Sequence, residues 1–454
     1  MGLKISSLID KILNIDSGIL SDLYWRYPIF ETNDILSTQN INNYKYSLRQ
    51  NCKGGDLYIY VHIPFCYSFC IFCPYKKYIY NKNSLVDYTL ALKTEITLYA
   101  KTEYLSGKKV AAIYLGGGTA NLLPSEKIIE LIDHCRKYFS FKDNIEITLE
   151  AAPFALSRKK LADLLNGGIN RLNLGVQTFS DRLRKFCKIR ARGRDAYDII
   201  NSAHNIGLKN VDIDLIYNLP GQTLKDFHRD LSMAVELKTE SISCFELIFY
   251  RGTELWDMLN RGAVKLENGL AAKMYMMKEA MLHNSGYRRY HLISKHALRE
   301  ENLCKYYFDR INNAVDFIGV GTSVSGLLNG YIYRNVFSLK EYYKNILNIT
   351  FPLFYAVKMN RDAQIRRAAI LKLGRGILKR NGFLESLGVD PLDYFLDEME
   401  ELKRRKLIIV NKNEIRISYI GQFYWTYVCA HLFSKEILWK IYNIAKKEKA
   451  SINI

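Results

Sequence analysis

The sequence predicts an α/β protein: a parallel sheet with helices packed outside it, followed by a small C-terminal α+β domain. Three observations carry this. From Asp56 onward, short β-rich runs alternate with longer helical patterns. Six such runs recur before residue 250, the rhythm of strand–helix–strand units. Beyond about residue 356 the pattern changes to helices followed by a hairpin, the outline of a winged-helix-like unit.

Taken in order, residues 1–55 read as mixed helix and loop and form an N-terminal extension. The strand candidates are 57–63, 110–115, 145–150, 171–176, 211–217 and 241–249, most of them rich in β-branched and aromatic residues. Between them lie helical stretches. Ser84 is expected to cap one that runs through Glu95, and Ser125 another, SEKIIELIDHCRKYF, because a hydroxyl precedes apolar residues at helical spacing. Further helices are expected over 157–166, 194–206 and 223–237. In the C-terminal part, 362–382 and 391–404 read as helices and 407–417 as a hairpin with a polar turn. The boundaries drawn are 1–55, 56–300 for the core, 301–355 for a glycine-rich extension, and 356–454 for the last domain.

A chain of 454 residues is too long for one core. Its 48% apolar and 24% charged residues are those of a globular protein. No run of 18 apolar residues appears, and the N-terminus lacks a secretory order, so a cytoplasmic protein without a membrane span is expected. The formal charge of +19 is spread along a chain rich in Lys, Ile, Asn and Tyr, which reads as compositional bias; it also fits a polycarboxylate substrate. There is no zinc-finger or RNA-binding aromatic signature, so no nucleic-acid partner is expected. Nine irregularly spaced cysteines do not make a disulfide framework. Cys52, Cys135, Cys187, Cys244, Cys304 and Cys429 read as small buried hydrophobes.

In open parallel sheets, chemistry sits at the carboxyl ends of the strands. Here those ends carry polar residues and glycines repeatedly. The first strand ends at His62 and leads into Cys66, Cys70 and Cys73. The second runs into Gly116-Gly117-Gly118-Thr119. The third ends at Glu150, the fourth at Gln177, and the fifth carries Asp214. The central signal is the C-x3-C-x2-C run. Three nearby thiolates can hold three irons of a [4Fe–4S] cube, and the open fourth iron can take the amino and carboxylate groups of a small molecule. A zinc site completed by His62 is the other reading, but structural zinc favours paired CxxC units and no second pair is present. LGGGT lets backbone approach a ligand, although a tight turn alone would explain it. Asp214 and Glu150 are carboxylates in β-rich strands, which need partners or a ligand.

YVHIPFC-x3-C-x-FC, LGGGT, EITLEAAP, RLNLGVQTF, DIDLIYNLPGQT, GTEL and DFIGVGTSVSG follow in order the motifs of HemN-type radical S-adenosylmethionine (SAM) proteins. The resemblance spans about residues 56 to 335. It includes oxygen-independent coproporphyrinogen III dehydrogenases, HemW-type haem chaperones and class C radical SAM methyltransferases. It implies an incomplete (β/α)6 barrel. It implies that Cys66, Cys70 and Cys73 ligate a [4Fe–4S] cluster. By the same resemblance, Tyr60 and Phe72 contact SAM, and Gly117, Gly118 and Thr119 bind its methionine end. Glu150, Gln177 and Asp214 hold the amino acid and ribose portions, and Ile248 touches the adenine side. The family places an arginine after GVQ for the SAM carboxylate; FCKIRARGR departs from that register, leaving Arg190 or else Arg192. The implied chemistry is reductive cleavage of SAM to methionine and a 5′-deoxyadenosyl radical, with the electron supplied by a flavodoxin or ferredoxin.

Within the family, the dehydrogenases carry a further cysteine where this chain has Tyr75. The haem chaperones carry HN-x2-YW where this chain reads ENLCKYYFDR, although His291 and His296 are nearby and read as surface or hydrogen-bonded residues. In the class C enzymes a second SAM is proposed to bind beside the first, which attaches that expectation to GVGTSVSG after Asp316. With the N-terminal extension, this favours C1 transfer to a small molecule such as a natural-product precursor. Tetrapyrrole chemistry and haem carriage are the alternatives.

Overall fold

The computed structural model describes residues 5–15, 28, 35, 37–52, 54–75, 78–265, 267, 269–291, 295–313 and 315–450. Six strands form the wall of an incomplete (β/α)6 barrel: β1 (Gly55–Ile63), β2 (Lys108–Gly117), β3 (Ser140–Ala151), β4 (Arg171–Gln177), β5 (Val211–Tyr217) and β6 (Ser241–Glu246). They pair in parallel in that order. Beyond β6, β7 (Arg288–Arg289) and β8 (Lys295–Ala297) add an antiparallel edge. On the other side β9 (Phe317–Val320) runs parallel to β1, and β10 (Ser325–Leu328), β11 (Tyr331–Asn335) and β12 (Leu353–Lys358) follow antiparallel. Among the described residues these make one twelve-stranded sheet, ordered β12-β11-β10-β9-β1-β2-β3-β4-β5-β6-β8-β7.

The helices that cover the wall are α3 (Lys82–Ala100), α4 (Ser125–Tyr138), α5 (Arg158–Asn166), α6 (Asp181–Phe186), α7 (Gly193–Asn205), α8 (Leu224–Glu236) and α9 (Leu270–Asn284), preceded by α1 (Ile5–Ile15) and α2 (Thr38–Ser47). Strand alternation divides the side chains. Ile213 and Leu215 of β5 join the outer core against the helices, while Asp212 lies buried on the other face. There Arg171 donates to Glu146 and to Asp212, each at 2.8 Å, so three buried charges form one satisfied group. The amide of Lys305, the first residue of α10 (Lys305–Asn313), donates to Glu146 at 2.7 Å and so ties α10 to the same group.

Several boundaries differ from expectation. Ser84 lies inside α3, which starts at Lys82 and is capped by Asn81, whose side chain accepts the Asn83 amide at 2.9 Å; the helix continues to Ala100. Ser125 is the first residue of α4, because Pro124 takes the cap position and no side-chain cap bond forms. The sixth strand stops at Glu246, short of residue 249, since the chain turns at Tyr250–Thr253 with Gly252 at φ +77. The helix expected over 362–382 breaks after Leu373. There α11 (Arg361–Leu373) gives way to β13 (Ile377–Lys379), Gly376 having φ +92. α12 (Arg380–Leu387) follows, and the 391–404 helix is interrupted at Phe395, leaving α13 (Leu396–Arg404). The hairpin β14 (Ile408–Val410) and β15 (Glu414–Ile417) pairs with β13 as a three-stranded sheet, and α14 (Lys435–Ala450) closes the chain.

The N-terminal extension divides between two cores. Leu8, Ile9 and Ile12 of α1 pack with Leu438 and Ile441 of α14. Tyr44 of α2 packs on Tyr331 and Tyr333, ring centres 5.6 and 5.3 Å apart. Of the six cysteines read as buried hydrophobes, five are buried and Cys52 is only partly so. No described helix is long and apolar enough to cross a membrane.

Candidate functional site

The cysteine loop leaves β1 at Pro64, and three flanking segments hold it. The first is the glycine turn after β2. Its Gly118 and Thr119 amides donate to the carbonyls of Ile63 and Phe65, each at 2.8 Å, and the Thr119 hydroxyl donates to Cys66 Sγ at 3.7 Å. A β-carbon on Gly118 would stand 2.6 Å from the Phe65 carbonyl oxygen and 2.8 Å from Cys66 Sγ. Gly117 adopts φ +123, and a β-carbon there would meet the His62 ring at 2.7 Å. The second segment follows α6: Ile71 donates its amide to the Cys187 carbonyl at 3.3 Å, and Cys70 Sγ lies 4.0 Å from the Lys188 carbonyl oxygen. The third is α3, where the Tyr88 hydroxyl donates to the His62 carbonyl at 3.0 Å and accepts the Thr322 amide at 2.9 Å.

Cys66 is buried, and Cys70 and Cys73 are half-buried. The three thiols share one loop, but among the described residues no three His, Cys, Asp or Glu side chains are gathered to metal-binding distance. The glycine-turn amides, expected to face a ligand, are spent on the chain itself, Gly117 donating to Glu150 Oε2 at 3.2 Å. They set the cysteine loop against β2.

The carboxylates come together on the neighbouring strands. Burial pushes the Glu150 carboxyl up to about 7, and the Asp214 carboxylate pushes the same way against the Gly117 hydrogen bond. Burial likewise raises Asp214, opposed by Lys295 and Asn173. Asn173 donates to Asp214 at 2.9 Å and contacts the Tyr114 hydroxyl at 3.3 Å. Its own side-chain oxygen is buried without a hydrogen-bond partner among the described residues. Gln177 closes β4 at a register shift with φ +66, a costly conformation for a side-chain-bearing residue. Its amide nitrogen would lie 3.0 Å from a β-carbon on Gly175, so the side chain folds back over that glycine. Asn173 and Tyr114 were not singled out from the sequence. Their signal was the alternation with Arg171 and Gly116, which puts each on the polar face of its strand.

Tyr60 is half-buried, its hydroxyl 3.2 Å from His62 Nδ1. Phe72 packs beside Ile189 and Phe249 against a small apolar cluster around Ile71. Ile248 is half-buried in the segment after β6, next to Leu247, whose amide bonds the Tyr217 carbonyl at 3.0 Å. Arg190 lies with its guanidinium 3.9 Å over the Tyr67 ring and 5.7 Å from that of Phe154, between the cysteine loop and the segment after β3. Arg192 points to Asp195 and is exposed, which leaves Arg190 as the arginine beside the loop. Arg184 is a further residue that sequence reasoning missed. It is 1% exposed and donates to the carbonyls of Val176, Thr178, Arg190 and Ala191, so it fixes the path of the chain around Gln177 and Arg190.

The GVGTSVSG stretch, expected as a second ligand loop, is packed into the sheet. Gly319 bonds the Tyr333 hydroxyl, Gly321 donates to Glu95 at 2.8 Å, and β-carbons on Gly319 and Gly326 would collide with Ser325 and the Tyr333 ring. The glycines are needed for close strand packing. His296 is buried and faces Glu279 at 3.3 Å; His291 is half-buried and is pushed down to about 3 by burial and then by Arg375. His296 is thus an internal residue paired with a carboxylate, and His291 is partly exposed.

A family model described as the radical SAM superfamily matches residues 60–234. The haem chaperone HemW of Buchnera aphidicola subsp. Schizaphis graminum is 31% identical over 293 residues, covering 63% of this chain and 74% of that protein. The chain belongs to the HemN-like radical SAM family. HemW of Bacillus subtilis is 28% identical over 370 residues, 80% of this chain and 95% of the relative. The solved coproporphyrinogen III oxidase HemN of Escherichia coli, described as a radical SAM enzyme, has the same fold with a TM-score of 0.79 and 24% identity, over 89% of this chain and 96% of that one.

Radical SAM proteins bind a [4Fe–4S] cluster and SAM. The residues of this HemN-like chain fit both groups. Three thiols lie on one loop held against a glycine cradle that has no room for a β-carbon. The buried Asn173 oxygen without a partner and the two raised carboxyls of Glu150 and Asp214 suit a ligand rich in donors and positive charge.

Proposed function

We propose that this chain is a radical SAM enzyme acting on a tetrapyrrole. In this reading Cys66, Cys70 and Cys73 hold the cluster. Tyr60, Phe72, Arg190 and Ile248 line the SAM site, and Glu150, Gln177 and Asp214 take its polar groups. The turn at Gly117–Thr119 contributes carbonyls, since its amides are engaged. When bound, cluster and SAM supply reductive cleavage of SAM to an adenosyl radical that takes hydrogen from carbon. The chain's own tasks are to hold SAM in one pose and to exclude water. Arg184 and Tyr88 serve the first by fixing two of the three segments that flank the cysteine loop. A flavodoxin or ferredoxin would supply the electron.

The observation that carries the substrate class is a group of four tyrosines beside Glu150. Tyr60, Tyr114, Tyr306 and Tyr307 have neighbouring ring centres 5.0 to 5.8 Å apart, and Tyr307 is 38% exposed. Tyr114 and Tyr306 are buried behind Tyr307, and an aromatic edge of this kind suits a flat conjugated ligand. The names of the relatives, haem chaperone and coproporphyrinogen III oxidase, point to the same class. The C1-transfer reading loses one support, because the glycine stretch that suggested it is packed between strands.

Haem carriage is the second reading, favoured by the match to 95% of the Bacillus subtilis HemW chain. One experiment separates the two. The reconstituted protein is incubated anaerobically with SAM, dithionite and either coproporphyrinogen III or haem, and the products are resolved by mass spectrometry. Formation of 5′-deoxyadenosine with a new tetrapyrrole mass supports the enzyme. Stoichiometric haem binding without 5′-deoxyadenosine supports the carrier. Neither product nor binding overturns the tetrapyrrole reading.

A further inference from the structure

The face of the wall opposite the outer core stays polar as far as the edge strand β8. Asp212 of β5 stands across from Ser241 of β6, and Asp214 across from Ser243. Lys295 of β8 stands across from Ser243 on the other side. Paired positions across a ladder share a face. Asp214, Ser243 and Lys295 therefore form one row across three strands. Ser243 is buried, and the Lys295 side chain is 20% exposed.

The chemistry of the row has one direction. Lys295 Nζ lies 3.2 Å from Ser243 Oγ and 3.4 Å from Asp212 Oδ2. An ammonium only donates, so Ser243 accepts from it and keeps its own hydroxyl proton to give. That hydroxyl and the Asn173 amide both favour the ionised form of Asp214. Burial opposes that form, and so does the charge of Asp212; Lys295 is the largest influence in its favour. Glu150, on β3, and Asp214 raise each other's cost of ionisation in the same way. Asp212 itself does not depend on Lys295. It accepts from Arg171 at 2.8 Å and from the Ser241 hydroxyl at 2.6 Å. Arg171 is shared with Glu146, so its single positive charge faces two carboxylates. Lys295 brings the further positive charge to this face.

We propose that Lys295, partly through Ser243, is a positioning residue of the SAM site that keeps Asp214 an anion before the positively charged ligand arrives. The proposal rests on the reading of Asp214 and Glu150 as SAM contacts and deepens it. Neighbouring carboxyls in different surroundings take different protonation states. Glu150, raised to about 7 by burial and then by Asp214, gives up its proton as SAM binds. Asp214, with Lys295 and Ser243 on its row, has none to give up. Without the lysine, Asp214 holds a proton to higher pH. SAM favours the anion, so binding then expels that proton too, and affinity falls more steeply in acid.

The test is calorimetric titration of SAM into the cluster-reconstituted chain near pH 6.5, in buffers of different ionisation enthalpy, which counts the protons released per SAM bound. Protons that SAM itself exchanges are common to every variant and cancel in the comparison. Lys295→Met should release up to about one proton more than wild type. Its affinity should fall by up to about a hundredfold per pH unit in acid, where wild type falls by up to about tenfold. Lys295→Arg should keep the wild-type count. Ser243→Ala, which leaves the Lys295–Asp212 contact in place, should shift the count in the same direction by less. An unchanged count in Lys295→Met confines the lysine to Asp212 and overturns the proposal. Loss of SAM binding at every pH, with melting unchanged, makes Lys295 a direct ligand and overturns it as well. If Lys295→Met does not fold, Ser243→Ala decides, and a wild-type count there overturns the proposal. A wild-type chain that binds no SAM overturns the SAM-site reading, and the inference with it.

Discussion

Gly118 faces Cys66 so closely that its missing side chain is what lets the cysteine loop lie against β2: a β-carbon there would be 2.8 Å from the sulfur. The adjoining amides then pin the loop backbone through the Ile63 and Phe65 carbonyls. Gly118→Ala forces the loop outward, because the nearer clash is with backbone, which cannot swing aside. Overpacking of this kind costs about 1–3 kcal/mol. The variant should lose most of its iron after anaerobic reconstitution, measured as iron per chain and as the cluster's visible absorbance. Full iron loading would show that the cradle does not position the loop.

Glu150 gives SAM binding a pH dependence. Its carboxyl is raised to about 7 by burial and by Asp214, so the free protein holds it protonated below neutrality. SAM carries a positive sulfonium, which favours the ionised carboxylate. Affinity should therefore fall as pH drops below 7, by up to about tenfold per unit, and level off above it. Glu150→Gln should flatten the profile between pH 6 and 8. An unchanged slope in that variant would assign the titration to another group.

Arg184, itself buried, donates to four carbonyls, those of Val176 and Thr178 before its helix and of Arg190 and Ala191 after it. Arg184→Met strands those acceptors, at a cost of at least about 3 kcal/mol. Lysine, a point donor on a flexible stem, cannot reproduce the fork. Both variants should melt several degrees lower and bind SAM weakly, since Gln177 and Arg190 lie on the two stretches that it releases. A lysine variant with wild-type melting and affinity would contradict this.

Glu95 makes folding stability fall with pH. It is fully buried, accepts hydrogen bonds from Tyr342, Asn335 and Gly321, and burial lifts its carboxyl to about 7 despite them. The unfolded chain releases this proton near pH 4.5, the folded one near 7. Between those values the folded state binds more protons, so stability falls as pH rises, by about 3 kcal/mol in all. Melting curves from pH 5 to 8 should show the decline, and Glu95→Gln should remove much of it.

The central strands were legible because most are runs of β-branched residues at helix-separated intervals; 211–217 is β5 to the residue. The continuation β9 to β12 was not. Its strands have four to six residues, and Gly319 and Gly326 within them read as ligand-loop glycines. Only the neighbours Tyr333 and Ser325 show why side chains are excluded there. Ser84 and Asn81 are both acceptable caps, and the chain uses the one that allows a longer α3. The site residues carried by a motif could be named from the sequence. Asn173 and Arg184 could not: Asn173 acquires its role from Asp214, distant in the chain, and Arg184 from carbonyls six to eight residues away that only the turns on either side of its short helix bring to it.

The most direct test of the account is nucleoside analysis after anaerobic cluster reconstitution, with SAM and dithionite added to the wild-type chain and to Cys66→Ala, Cys70→Ala and Cys73→Ala. The account predicts 5′-deoxyadenosine from wild type and none from any of the three variants. A wild-type chain with a fully loaded cluster that leaves SAM intact, or a cysteine variant that still cleaves it, would contradict the claim that this loop is the reaction centre.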